Sequence, residues 1–174
     1  MSQTYSVSLE KIIDFHKLET VYMPRSADEI LITTSEVNRP GIVLTGYTDY
    51  FDSLRIHILG WTEIGFIRSM GAEERELALD CWLSLKPAAA VVTRGLEIPD
   101  YLYDACKKHE IPLLKTAEET SPFLAALIEF LNTELAPRIT RHGVLVEVYG
   151  EGVLITGESG AGKGEAAIER IKSG

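Results

Sequence analysis

Two cysteines, no long apolar run and a deficit of positive charge set the first limits on this sequence. Cys81 and Cys106 form no CxxC pair, which suits a reducing cytosol. The longest apolar stretch, around Ala88–Val92, falls far short of the roughly 20 residues of a membrane span. The opening residues MSQTYSVSLEKIID reach a charged, helix-like segment at once and hold no signal-peptide core. Seventeen Lys and Arg stand against 26 Asp and Glu, a net charge of −9. A polyanionic partner would have to overcome that field, which argues against general nucleic-acid binding. No internal repeat or low-complexity tract appears. What is present is ordinary: 45% hydrophobic and 25% charged residues over 174 positions. That excludes a disordered chain and leaves apolar surface for a core of one domain, or one domain and part of another. The expectation is an acidic, soluble, cytoplasmic protein without membrane or nucleic-acid partners.

The charge is unevenly spread. Residues 1–132 carry 12 basic and 20 acidic side chains, and residues 133–174 carry 5 and 6. Pro137 interrupts a helical pattern within Asn132–Arg141, and Gly143 follows soon after. The expected division is therefore a domain at 1–132, a linker at 133–141 and a second part at 142–174.

Within the first part the hydrophobic period alternates. Leu9, Ile12, Ile13 and His16 share a helical face, while Leu54, Ile56 and Ile58 alternate with Arg55 and His57 as in a half-buried strand. Ala78, Cys81, Trp82 and Leu85 return to helical spacing. The unbroken apolar run Ala88–Val92, between Pro87 and Gly95, suits a strand covered on both faces. Pro99 opens a helix carrying Leu102, Ala105 and Cys106, and Ile111–Leu114 reads as another short strand. Ser121 and Pro122 read as an N-cap and first turn, followed by Leu124, Leu127, Ile128, Leu131 and Leu135 on one face. Both cysteines fall on apolar helix faces as core thiols. His16, His57 and His109 share no metal-ligand spacing, so no metal site is assigned. Arg39-Pro40-Gly41 has the residues of a type II turn. The alternation predicts a partly parallel α/β sheet with crossover helices.

The second part is more specific. Val144–Tyr149 and Val153–Thr156 are β-branched runs joined by Gly150-Glu151-Gly152, a hairpin pattern. The second run leads into Gly157-Glu158-Ser159-Gly160-Ala161-Gly162-Lys163-Gly164 and then a helix-like Glu165–Lys172. Strand, glycine-rich loop and helix form the context of a phosphate-binding loop. Glycines let successive backbone N–H groups face an anion, and the following helix adds its positive end. Lys163 supplies a point charge for the β/γ-phosphates. Where such loops carry Ser or Thr to bind Mg²⁺, this chain has Gly164. The phosphate cradle survives that change, but the metal ligand does not.

These residues carry a resemblance. Arg141 to Gly150, then Gly152 to Lys163, resemble the active-site entry of HPr kinase/phosphorylase, with the same histidine, the same short hairpin and a loop usually written GDSGVGKSE. Upstream, Asn38-Arg39-Pro40-Gly41, Leu44-Thr45-Gly46-Tyr47, Trp61-Thr62-Glu63 and Thr93-Arg94-Gly95-Leu96-Glu97 resemble that family's N-terminal domain. The resemblance implies a partly parallel N-terminal α/β domain followed by the beginning of a P-loop kinase domain. It also implies ATP-dependent phosphorylation of a serine in the phosphocarrier HPr and its phosphorolytic reversal, with ATP and Mg²⁺ as cofactors and a homohexamer as the working form. Gly157, Glu158, Ser159, Gly160, Ala161, Gly162, Lys163 and Gly164 would bind the nucleotide, and His142 and Lys163 would be catalytic. Glu158 stands where the family usually has Asp, and Glu165 matches a glutamate after the loop. The family's aspartate pair, with its general base, and its HPr-docking elements lie beyond the matched segment, so the 174-residue chain is expected to be inactive alone. The alternative is a non-catalytic ligand- or partner-binding module with a vestigial nucleotide loop.

Overall fold

The computed structural model describes residues 5–137, 143–148 and 151–157. The chain divides into two compact units, Met1–Ala136 and Pro137–Gly174. No helix among the described residues is long and apolar enough to cross a membrane.

In the first unit, strands β1 (Val7–Ser8) and β3 (Leu31–Ile32) form a small antiparallel ribbon, and a five-stranded sheet makes the body. Its order is β2 (Glu19–Tyr22), β7 (Leu113–Lys115), β6 (Ala89–Val92), β5 (Ile56–Leu59), β4 (Val37–Asn38). Strands β4 to β7 are parallel and β2 closes the β7 edge antiparallel. Helices α2 (Trp61–Ser69), α3 (Ala72–Ser84) and α4 (Asp100–His109) cover one face, where Ile64, Trp82 and Leu102 pack on Leu59, Val92 and Leu113. Helices α1 (Leu9–His16) and α5 (Thr120–Leu135) cover the other, where Ile12, Phe123 and Leu127 pack on Ile58, Val91 and Leu114. The partly parallel sheet with crossover helices is the predicted arrangement. Ser8 caps α1 by accepting the Lys11 amide proton, and Leu9, Ile12 and His16 are buried along it as their spacing predicts.

Several local expectations are corrected. All four residues of β5 are buried, because the strand lies between β4 and β6 with helices over both faces. Leu54 lies ahead of the strand and is exposed. The strand expected at Ile111–Leu114 is displaced to β7, because the Ile111 amide instead bonds the Cys106 carbonyl at 2.9 Å. With Glu110 left-handed at φ 55°, that bond closes α4 in the Schellman manner. Helix α5 starts at Thr120, not Ser121, and its first bond runs from the Phe123 amide to the Glu119 carbonyl at 3.0 Å. Pro122 is tolerated there because first-turn amides lack intrahelical partners. Gly41 does not adopt the positive φ of a type II turn. The chain coils instead, with the Leu44 amide bonding the Pro40 carbonyl at 2.9 Å, and leaves the turn at Gly46, φ 94°. Cys106 is buried as expected, but Cys81 is only partly so.

The described part of the second unit is an antiparallel hairpin, β8 (Gly143–Val148) and β9 (Glu151–Thr156). Pairing runs from Gly143 with Thr156 to Val148 with Glu151. Glu151 and Gly152, expected in the connection, therefore belong to β9; Tyr149 and Gly150 lie outside the described residues.

Candidate functional site

The four parallel strands end along one edge of the first unit, and buried polarity gathers there. Six polar or charged side chains are buried among the described residues: His16, His57, Glu63, Thr93, Thr116 and Thr120. The last four lie just past the carboxyl ends of β5, β6 and β7. Gly60 follows β5 and precedes α2. Glu63, three residues on, accepts the Gly60 amide proton at 2.9 Å and an Arg39 Nη2 proton at 2.8 Å through one oxygen, Oε2. A first-turn carboxylate thus satisfies an otherwise unpaired amide and suits the helix dipole.

A second network joins β5, β6 and α5. The Thr93 hydroxyl donates to the Leu59 carbonyl at 3.1 Å, so its oxygen accepts from Thr120 at 2.7 Å. Thr120 Oγ1 in turn accepts from Arg94 Nε at 3.3 Å. Arg94 and Gly95 are both left-handed, at φ 63° and 62°, and the Leu96 amide closes onto the Thr93 carbonyl at 3.3 Å. That is the geometry of a type I′ turn. The Arg94 and Gly95 amides bond the Glu118 and Thr116 carbonyls at 2.7 and 2.8 Å, which fixes the turn against the segment after β7. Arg39, Glu63, Thr93 and Arg94, which the sequence places in separate motifs, therefore converge on one edge.

The remaining histidines and cysteines have structural settings. Trp82 Nε1 donates to His57 Nδ1 at 3.1 Å. His16 lies among Phe15, Phe123 and Phe130. His109 Nε2 is 2.7 Å from Asp80 Oδ1, and Lys108 Nζ is 2.8 Å from Oδ2. Hydrogen bonds from Lys108 and then His109 hold the Asp80 carboxyl below its ordinary range. Burial pushes the Cys106 thiol up to about 12, which makes it an inert core group. No group of side chains that could hold a metal ion occurs among the described residues.

Of the nucleotide-loop residues only Gly157 is described; it is exposed and directly follows β9. The hairpin register closes with Gly143 opposite Thr156, the residues that follow His142 and precede Gly157 in sequence. His142, Glu158, Ser159, Gly160, Ala161, Gly162, Lys163 and Gly164 lie outside the described residues.

An α/β domain is followed by a hairpin whose sequence continues into the glycine-rich stretch 157–164. A family model described as the HPr Serine kinase N terminus matches residues 7–131, and one described as the HPr Serine kinase C-terminal domain matches residues 133–174. The chain belongs to the HPr kinase/phosphorylase family. It is 42% identical over 170 residues to the HPr kinase/phosphorylase of Lachnoclostridium phytofermentans, covering 98% of this chain and 55% of that protein. The corresponding protein of Lacticaseibacillus casei is 40% identical over 97% of this chain and 53% of its own length. That of Clostridium perfringens is 39% identical over 97% of this chain and 54% of its own length. The chain thus spans about half the length of the curated relatives it matches. Among solved structures, the CBS and DRTGG domains of the regulatory region of Clostridium perfringens pyrophosphatase share the fold. The TM-score there is 0.50 at 18% identity, covering 74% of this chain and 50% of that one.

Proposed function

We propose that the chain contributes the nucleotide-phosphate loop of an HPr kinase/phosphorylase. The complete protein transfers the γ-phosphoryl group of ATP to a serine of HPr and reverses that transfer by phosphorolysis, as part of bacterial carbon catabolite regulation. The observation that supports this reading is the β8–β9 hairpin, which ends at Thr156 just before Gly157, within the segment 133–174 matched to the kinase C-terminal domain. In this reading residues 157–164 bind the nucleotide phosphates, and Lys163 and His142 are catalytic. The donor set fits a triphosphate, because glycines free the amides and the lysine supplies charge. It lacks the hydroxyl that ordinarily binds Mg²⁺, since residue 164 is glycine. Residues 1–132 form the N-terminal domain, 133–141 the linker and 142–174 the start of the kinase domain. HPr is the protein substrate, the working form is a homohexamer, and the compartment is the cytoplasm.

Calorimetric titration of the chain with ATP, with and without Mg²⁺, tests the reading. Saturable binding is expected, lost in Lys163→Ala and strengthened by Gly164→Ser only when Mg²⁺ is present. Absence of binding in both the parent and Gly164→Ser would overturn the nucleotide assignment. An affinity that Gly164→Ser leaves unchanged with Mg²⁺ would overturn the role given to residue 164.

A further inference from the structure

Each of the two arginines at the carboxyl edge of the parallel sheet is held by one nitrogen and leaves others unused. Arg39 is fixed through Nη2 to the buried Glu63, and its Nε and Nη1 have no partner among the described residues. Arg94 is fixed through Nε to Thr120; its Nη1 makes only a loose 3.8 Å ion pair with the exposed Glu119 carboxylate. Both side chains stay open to solvent, 42% and 32% exposed. A guanidinium clamped at one corner presents its free N–H groups in a fixed plane, the arrangement that recognises phosphate and carboxylate groups in a bidentate way.

Both guanidiniums bond to side chains that meet at one glycine, Gly60. A Cβ on Gly60 would stand 2.6 Å from Thr120 Oγ1 and 3.5 Å from Arg39 Nη2, and Thr120 Oγ1 carries the bond from Arg94. Helices α2 and α5 both begin here, so two positive helix ends point to the same edge. Glu63 and Glu119 balance the arginine charges. What remains for a ligand is therefore directional rather than a broad field: unused N–H edges held by a network of buried hydroxyls. Burying four polar side chains at this edge is costly unless every bond is made, and here the network serves to aim two cations. In open parallel sheets, ligands bind outside the carboxyl ends of the strands.

We infer that this edge binds the phosphate or carboxylate group of a small ligand through the unused N–H groups of Arg39 and Arg94. The inference is independent of the nucleotide reading of residues 157–164, and its test keeps the two apart. The ¹⁵N-labelled 174-residue chain carrying Lys163→Ala is titrated with inorganic phosphate and, separately, with succinate, at constant ionic strength set by sodium chloride. Saturable shifts are expected at the Gly60 and Trp61 amides and at Arg94 Nε with at least one anion. The anion that binds identifies the head group. Arg94→Gln weakens binding about tenfold, the size of one charge-assisted contact. The pair Arg39→Gln with Glu63→Gln, changed together so that no buried carboxylate is left unpaired, weakens it as well. Glu119→Gln, at an exposed position, releases Arg94 Nη1 and tightens binding, a gain that misfolding cannot mimic. Shifts that fail to saturate with either anion, or that all these variants leave unchanged, would overturn the inference.

Discussion

His57 holds a neutral imidazole in the middle of the sheet. Trp82 Nε1 can only donate, so Nδ1 is the acceptor and the ring proton sits on Nε2, which has no partner among the described residues. Burial, reinforced by Arg55 and opposed by Asp52, pushes the imidazole down to about 4. In the unfolded chain it titrates near 6.5. Between those values the unfolded state binds the extra proton, so stability falls as pH falls from about 6.5 to 4, by about 3 kcal/mol in all. His16, also lowered by burial against an opposing Glu118, acts in the same direction. Urea denaturation at pH 7 and pH 4 should show the parent losing about 3 kcal/mol more than His57→Asn, whose amide oxygen can stand in for Nδ1. Equal losses in the two proteins would exclude the buried-neutral assignment. The sequence misplaces this residue for a physical reason. A histidine alternating with isoleucines reads as an outward-facing position, and the partner that makes its burial tolerable is a tryptophan on helix α3.

At the scale of elements, Gly60 shows how a short polar network sets where helices begin. The residue needs no unusual backbone; it needs room, because Thr120 Oγ1 and Cγ2 lie 2.6 and 3.3 Å from where a Cβ would be. Thr120 cannot easily turn aside while Thr93 and Arg94 hold its hydroxyl. Gly60→Ala is therefore expected to destabilise the first unit by about 1–3 kcal/mol, the usual cost of overpacking. In a Thr120→Ala background both clashing atoms are gone, so a double-mutant cycle by urea denaturation should show the double variant losing less than the sum of the two single losses. Additive losses would mean that the two residues do not meet. The same network explains which elements were legible. The apolar run of β6 and the faces of α1 and α4 were readable because burial alone fixes them. The start of α5 was not, because Ser121-Pro122 has the residues of a local cap. Thr120, whose hydroxyl is committed to Thr93 and Arg94, takes the first helical position instead. The loop of residues 157–164 is read from the sequence as a motif because its chemistry is local, and beyond Gly157 it lies outside the described residues. The convergence of Arg39 with Arg94 is tertiary, so spacing along the chain could not reveal it.

Across the whole molecule, both hydrophobic clusters draw their buried side chains from residues 7–131. The second unit carries the β8–β9 hairpin. Its central cross-strand pair, Leu145 with Leu154, leaves both side chains exposed. A two-stranded ribbon is by itself marginal in water, whereas β5 and β6 are bonded on both edges and covered on both faces. Stability should therefore be unevenly distributed along this chain. Native-state hydrogen exchange is expected to show the amides of β5 and β6 opening only with global unfolding, their exchange free energies matching that from urea. The amides of β8 and β9 should exchange orders of magnitude faster and independently of denaturant, as local openings do. Saturating ATP supplies the decisive comparison. If the loop after Thr156 binds nucleotide, ligand linkage slows exchange in β8 and β9 by the factor of the bound over the free state. Protection of β8 and β9 equal to that of β5 without any ligand would show that the hairpin's stability comes from packing that its exposed leucines do not reveal.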